Sequence, residues 1–197
     1  MLRTGTICCW LAVATAAGCA QLSRPARLGE YLDESTGTTV VHMAKPFVYY
    51  REVPTLAAYA RDYISLAPLE LSQGGRREWL LWTWRWSTID RGMPTLESSP
   101  QLVLFVDDEP MELEPAGPRT LARWPYEAPV NGGERALFYL TRNQVERLGA
   151  ARQIRVYVVS GVAGGEYLPW RVGDPELSEF ALWTETREPA AFAQTHD

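Results

Sequence analysis

Arg77–Ile89 reads REWLLWTWRWSTI, and this stretch decides the fold class. Leu80, Trp82, Trp84 and Trp86 fall on one face of an extended chain. Trp79, Leu81, Thr83, Arg85 and Ser87 fall on the other. A period of two fits these residues and helical spacing does not, so the stretch is a strand. A continuous apolar face on so long a strand points to a central position with the tryptophans in the core. The same face exposed would stack on sugar rings or grip a partner, so Trp82, Trp84 and Trp86 are the candidate binding residues. Arg85, on the opposite face, is placed to stack on Trp79 or to pair with an acid.

Working outward, Gln73-Gly74-Gly75-Arg76 reads as a hairpin turn back to a strand at Tyr63–Leu71, interrupted at Pro68 by a bulge or edge bend. Further upstream, Thr38–Ala44 and Phe47–Glu52 are strand-like and separated by Pro46. Downstream, Leu102–Val106 and Met111–Leu113 flank the acidic turn Asp107-Asp108-Glu109-Pro110, and Pro115–Pro129 reads as a long surface loop. Arg135–Leu140 is a strand ending in Thr141-Arg142-Asn143-Gln144, a capping box for a short helix that Gly149 closes. Gln153–Ser160 alternates as a strand, and Gly164-Gly165 turns it into Tyr167–Arg171. Asp174-Pro175 has the N-cap and first-turn residues of a second helix, with Leu177, Phe180, Ala181 and Thr184 facing the core. Short strands joined by hairpins imply a mainly β domain over residues 31–187 (an α+β variant is the alternative). It would be antiparallel, either sandwich-like or one curved sheet, with two short helices near the C-terminus and a frayed tail over 188–197.

Few catalytic classes find their residues here. The chain has three cysteines and two histidines. There is no Gly-x-Ser-x-Gly elbow. His42, Ser87 and Asp90 can be written as a triad, but His42 alternates with Val40 and Ala44 as a packed strand residue does. His196 lies in the tail. One usable histidine makes a zinc site implausible, and Asp107-Asp108-Glu109 lacks the spaced ligands and glycine of a calcium loop. No metal or cofactor is expected. Gly74-Gly75 and Gly132-Gly133 lack the motif and following helix of a phosphate loop. Asp33-Glu34 and Glu112/Glu114 are the acids to inspect as a carboxylate pair for glycan cleavage. The formal net charge of −5 argues against nucleic acid, for which a basic stripe would be needed.

The N-terminus reads differently from the rest. Met1–Gly5 carries one charge, on Arg3, and Thr6–Ala17 is uncharged and apolar but too short to cross the ~30 Å hydrocarbon core of a bilayer. Charge, apolar run and small residues together make a secretory signal peptide over residues 1–18. Ala14-Thr15-Ala16 offers an ordinary cleavage site. Ala16-Ala17-Gly18-Cys19, however, resembles the lipobox of bacterial lipoproteins, with Ala16 where leucine is commonest. The resemblance implies cleavage between Gly18 and Cys19 and a covalent lipid on Cys19, with fatty acid such as palmitate. Ala20 stands where inner-membrane retention would place an aspartate, so the resemblance points to the outer membrane, facing the periplasm. Cys8 and Cys9 would leave with the signal, and residues 19–30 would form a lipidated tether. The rest of the chain resembles the uncharacterised lipoproteins common in proteobacteria, which implies no activity. Lacking thiols and catalytic motifs, the domain is expected to bind or scaffold without catalysing. Its partners would be the membrane, through the lipid, and envelope proteins or cell-wall glycan. The alternative is a periplasmic hydrolase of glycan or ester substrates that works through carboxylates.

Overall fold

The tryptophan-rich stretch forms strand β5 (Arg76–Ser87), paired antiparallel with β4 (Arg61–Gln73) on one side and β9 (Glu134–Leu140) on the other. The structure is a computed structural model that describes residues 28–89, 101–128, 130, 132–159, 164–170, 180–181 and 183–184. The β4–β5 ladder runs from Asp62↔Ser87 to Gln73↔Arg76. It closes over Gly74 and Gly75, both at positive φ, as a two-residue hairpin of this twist requires. Around it lie β3 (Phe47–Glu52), β6 (Gln101–Val106), β7 (Glu109–Glu112), β8 (Glu114–Pro115), β10 (Ile154–Val159) and β11 (Gly165–Pro169). The sheet order is β7-β6-β10-β11-β3-β4-β5-β9-β8. Only the buried Leu113 separates β7 from β8, so the chain itself bends from one end of this order to the other. The sheet therefore curls into a nearly closed barrel; of the two expected architectures, the curved sheet is the one formed.

Two further strands, β1 (Leu28–Asp33) and β2 (Thr38–Met43), extend the structure where β2 pairs with β4. Their placement explains Pro68. β4 pairs with β3 through Leu66 and with β2 from Leu69 onward, so Ala67 and Pro68 fall where that edge changes partner. The strand expected to break there is continuous, because a proline costs little where no ladder bond is needed on that side. β1 also begins inside the stretch read as tether.

The alternation of β4, β5 and β9 serves two cores. The inner face carries Ile64, Leu66, Leu81 and Phe138 into the barrel, where they meet Leu104, Val156 and Tyr167 from the opposite wall. Helix α1 (Arg142–Ala150) adds Val145 and Leu148 to that core. It starts at the expected capping box, Thr141 with Gln144. Gly149 does not close it: the helix continues to Ala150, and a Cβ at Gly149 would lie 2.4 Å from Thr184 Oγ1. Gly149 is thus a contact point. The outer face carries Ala67, Leu69, Leu80, Trp82 and Leu137, covered by Ala116 and Tyr126. The segment read as a surface loop therefore packs, with the Tyr126 hydroxyl donating to the Met43 carbonyl at 2.9 Å.

Other expectations meet the structure in part. Phe180, Ala181, Trp183 and Thr184 have helical backbone, and Phe180 and Trp183 are buried. The proposed start of that helix at Asp174-Pro175 lies outside the described residues. So do the signal peptide, Gly18, Cys19, Asp90, His196 and the tail. No helix among the described residues is long and apolar enough to cross a membrane.

Candidate functional site: an arginine-rimmed groove on an open strand edge

His42 and Ser87, two members of the triad written from sequence, are not brought together. His42 is level with Leu69, which is level with Leu80, and Ser87 lies seven positions further along β5. At ~3.3 Å per residue they are about 23 Å apart. His42 Nδ1 sits 2.6 Å from the Met43 carbonyl, between the rings of Tyr31 and Tyr126. A Cβ on Gly29 would collide with its imidazole, so the histidine is a packed residue lying across β1.

Asp33 is buried and accepts from the Ser35 hydroxyl at 2.6 Å, the Ser35 amide at 3.0 Å and the Ala122 amide at 2.7 Å. The Ser35 hydroxyl bond outweighs burial, and with the amide bonds it holds the carboxyl below its usual pKa. This acid fastens the 116–126 segment to β1. Glu112 and Glu114 are exposed, and Glu112 contributes only its carbonyl, to the Gln144 side chain at 2.9 Å. Asp107 and Asp108 form a tight hairpin turn, both at positive φ. Asp107 accepts from the amides of Arg152 and Gln153, and Asp108 pairs with Arg155 at 2.9 Å. No group of three or more potential metal ligands occurs among the described residues.

Charge does enter the barrel, but in pairs. Arg51 meets Asp62 at 2.9 Å and Arg85 meets Glu134 at 3.1 Å, each across directly opposed strand positions. Asp62 and Arg85 are fully buried. A charge so buried persists only when matched, and here each carboxylate has a guanidinium beside it. Arg85 thus takes the acid pairing expected of it, and Trp79 donates instead to Glu70 at 3.2 Å.

The three tryptophans separate along the outer face. Trp82 is 1% exposed and packs on Tyr126 at 4.9 Å between centroids; it belongs to the core. Trp84 is half-buried beside it. Trp86 is half-buried and stacked on Tyr63 at 5.1 Å. Trp170 meets both Tyr63 and Tyr50 edge-on, and the Arg61 guanidinium lies 5.5 Å from Tyr50 and 5.3 Å from Trp170. The faces of that second cluster are largely taken by one another.

The outer face becomes a concave surface where Trp84 is level with Arg135 of β9. β8 covers only part of the β9 edge: Glu114 and Pro115 pair with Tyr139 and Phe138, and the Ala116 amide donates to the Leu137 carbonyl at 2.8 Å. Toward Glu134 no strand among the described residues pairs with this edge. A groove of about 350 Å3 lies along it, lined by Pro115, Pro118, Leu137 and Phe138 and by two charged residues, Arg119 and Arg135. Among the described residues its lining includes no carboxylate. Arg119 is held by the Ala116 carbonyl at 3.0 Å and Glu78 at 3.3 Å. Arg135 is exposed, lies 4.0 Å from the Trp124 ring centroid, and has no acidic partner among the described residues. Partial burial lowers its pKa, a penalty that an anion beside it would offset.

Sequence reasoning missed Arg119, Trp124 and Arg135. The available signal was Leu121, Trp124 and Tyr126 inside a segment read as solvated, since a free surface loop has no use for three large apolar side chains. No family model, curated protein or solved structure matches the chain.

Proposed function

We propose that this chain is a lipoprotein anchored through Cys19 at the outer membrane, facing the periplasm. On this reading its barrel is a non-catalytic binding module that holds an extended, acidic segment of an envelope protein in the β9 groove. The observation that carries this reading is a β9 edge unpaired toward Glu134 among the described residues, beside a groove whose charged lining residues, among those described, are both arginines, on a chain of net negative charge. An extended peptide added to a strand edge gains backbone hydrogen bonds, each contributing about 0.5–1.5 kcal/mol net. Carboxylates on it meet Arg119 and Arg135, whose planar guanidinium groups match their geometry. The open edge is short, so intrinsic affinity is low. Anchoring offsets this by confining both partners to one surface, where the effective concentration replaces affinity.

The test is in-cell photo-crosslinking from position Pro118, with and without Arg135→Glu. Crosslinks to envelope proteins should map to acidic peptides and fall about tenfold with the charge reversal, the loss of ~1.4 kcal/mol expected for one charge-assisted contact. Crosslinks insensitive to Arg135→Glu would overturn the groove assignment. Turnover of a peptidoglycan or ester substrate by the purified chain would overturn the non-catalytic reading.

A further inference from the structure

The loop joining β3 to β4 is unusual for an acidic chain. Pro54, Thr55, Leu56, Ala57, Ala58 and Tyr59 are consecutive, uncharged and all exposed. Leu56 is 46% exposed and Tyr59 90% exposed. The loop is held in shape: Val53 N–H donates to Ala60 O at 2.9 Å, Leu56 N–H to Val53 O at 3.0 Å, and Ala60 N–H to Ala57 O at 3.0 Å. Tyr59 adopts φ +67°, a left-handed backbone that a bulky side chain rarely occupies, and here it accompanies near-complete exposure of the ring.

Behind this tip lies the second aromatic cluster. Tyr50 precedes Val53 by three residues and Tyr63 follows Ala60 by three, so Tyr50, Tyr63, Trp86 and Trp170 sit about 10 Å behind the loop base at ~3.3 Å per residue. The charges at the base are matched, Arg61 with Glu52 at 3.3 Å and Arg51 with Asp62 at 2.9 Å. Val159, at the same end of the barrel, is also exposed. An apolar tip, half-buried tyrosines and tryptophans one layer back, and matched charges between them among the described residues reproduce the layering of a membrane interface. In that layering, apolar groups sit about 5–10 Å into the headgroup–acyl boundary and aromatic rings at headgroup level.

We infer that this loop is a second membrane contact, docking the barrel on the zwitterionic surface of the bilayer that holds the Cys19 lipid; the inference rests on the anchored reading above. The reach of the chain fits. Leu28 pairs with Met43, whose neighbour His42 is level with Leu69, so β1 begins level with Pro68, seven residues from Arg61 along β4. That is about 23 Å at ~3.3 Å per residue. Nine residues lead from Cys19 to Leu28, a span of at most ~30 Å. The chain also enters β1 at the end nearer the loop. The acylated cysteine can therefore reach the level of the loop base, between the aromatic cluster and the apolar tip, leaving the β9 groove to the side.

The test uses the full lipidated chain in phosphatidylcholine–phosphatidylethanolamine vesicles, with a polarity-sensitive fluorophore on Leu56→Cys or, at the opposite end of β4, on Gln73→Cys. The Leu56 probe should shift to the blue, and a nitroxide placed shallowly on the acyl chain should quench it at least roughly twofold more than the Gln73 probe. Tyr59→Gly, which relieves the positive φ, should keep or raise the unfolding midpoint while reducing that quenching; a purely structural loop would leave quenching unchanged. Equal, water-like emission at both positions overturns the inference. Intact mass of the same sample separates the two readings. If no acyl chain is found, the anchored reading fails, and the Leu56 emission with excess vesicles decides the loop alone, an unchanged spectrum overturning it.

Discussion

Truncating Trp82 should cost far more stability than truncating Trp84, although the two rings are stacked neighbours two residues apart on one face. Trp82 is 1% exposed, whereas Trp84 is half-buried. A tryptophan buries up to about 250 Å2, which at ~25 cal/mol per Å2 is ~6 kcal/mol. The alanine that replaces it keeps part of that area, and the denatured chain already buries some of it, so Trp82→Ala should cost about 4 kcal/mol. The same reasoning halves the value for Trp84→Ala, to roughly 2 kcal/mol. Urea unfolding followed by far-ultraviolet circular dichroism measures both, with the slope m checking that the denatured state is unchanged. The Trp82 indole N–H has no acceptor among the described residues, so Trp82→Phe isolates packing from hydrogen bonding and should cost under about 2 kcal/mol. Equal losses at the two positions would refute the assignment of Trp82 to the core, as would a near-neutral Trp82→Ala.

Other expected outcomes are more local. The Asp33 carboxyl has its pKa lowered in the folded state, chiefly by Ser35, so its stabilisation is present above the unfolded value near ~4 and is lost as pH falls through the folded value. The urea midpoint should therefore fall on acidification below ~4, and Asp33→Asn should flatten that fall. Gly149→Ala, which would add ~1 kcal/mol on an exposed helix, should instead destabilise by about 1–3 kcal/mol by driving a Cβ into Thr184, with Thr184→Ala restoring part of the loss in the same assay. Cys19→Ala should abolish fatty-acid labelling in cells and leave an unprocessed or misprocessed precursor. A mature protein with a free, unmodified N-terminus downstream of Cys19 would refute the lipoprotein reading.

Local rules carried much of the fold, and they stopped where distant segments decide. β5, the Gly74-Gly75 hairpin and the capping box at Thr141 each depend on neighbours within a few residues, and each was legible. Alternation in β5 identified two faces but could not say that both are buried, because burial of the outer face depends on Tyr126 arriving from forty residues downstream. β1 was hidden for a related reason. Its Leu32 is 59% exposed and its Asp33 is buried, the reverse of the usual pattern, since Asp33 is satisfied by amides it meets only in the folded chain. Pro68 misled because the rule against proline in a central strand assumes one continuous partner on each side. The candidate groove was illegible in the same sense: Arg119 and Arg135 line one groove, and Trp124 reaches Arg135, only because β8 brings the chain back onto β9.

The position of that groove follows from how the barrel closes. A fully closed sheet has no edges, and an edge left open invites pairing with other chains. Here closure depends on one bent segment, Glu109–Pro115, whose first half pairs with β6 and whose second half is only two residues of β8. Pro115 has no N–H to continue the ladder, and beyond Ala116 the chain turns away to cover Trp82 and Leu137 on the outer face. Burying the second core and sealing the β9 edge therefore compete for the same stretch of chain, and the core takes it. What stays at the edge is guarded by charge: Arg135 stacked on Trp124 discourages a second copy of the same edge, since like guanidinium groups would then be brought together. An acidic strand meets no such opposition. On the proposed reading, the same arginines that oppose pairing of the edge with its own copy favour an acidic partner strand.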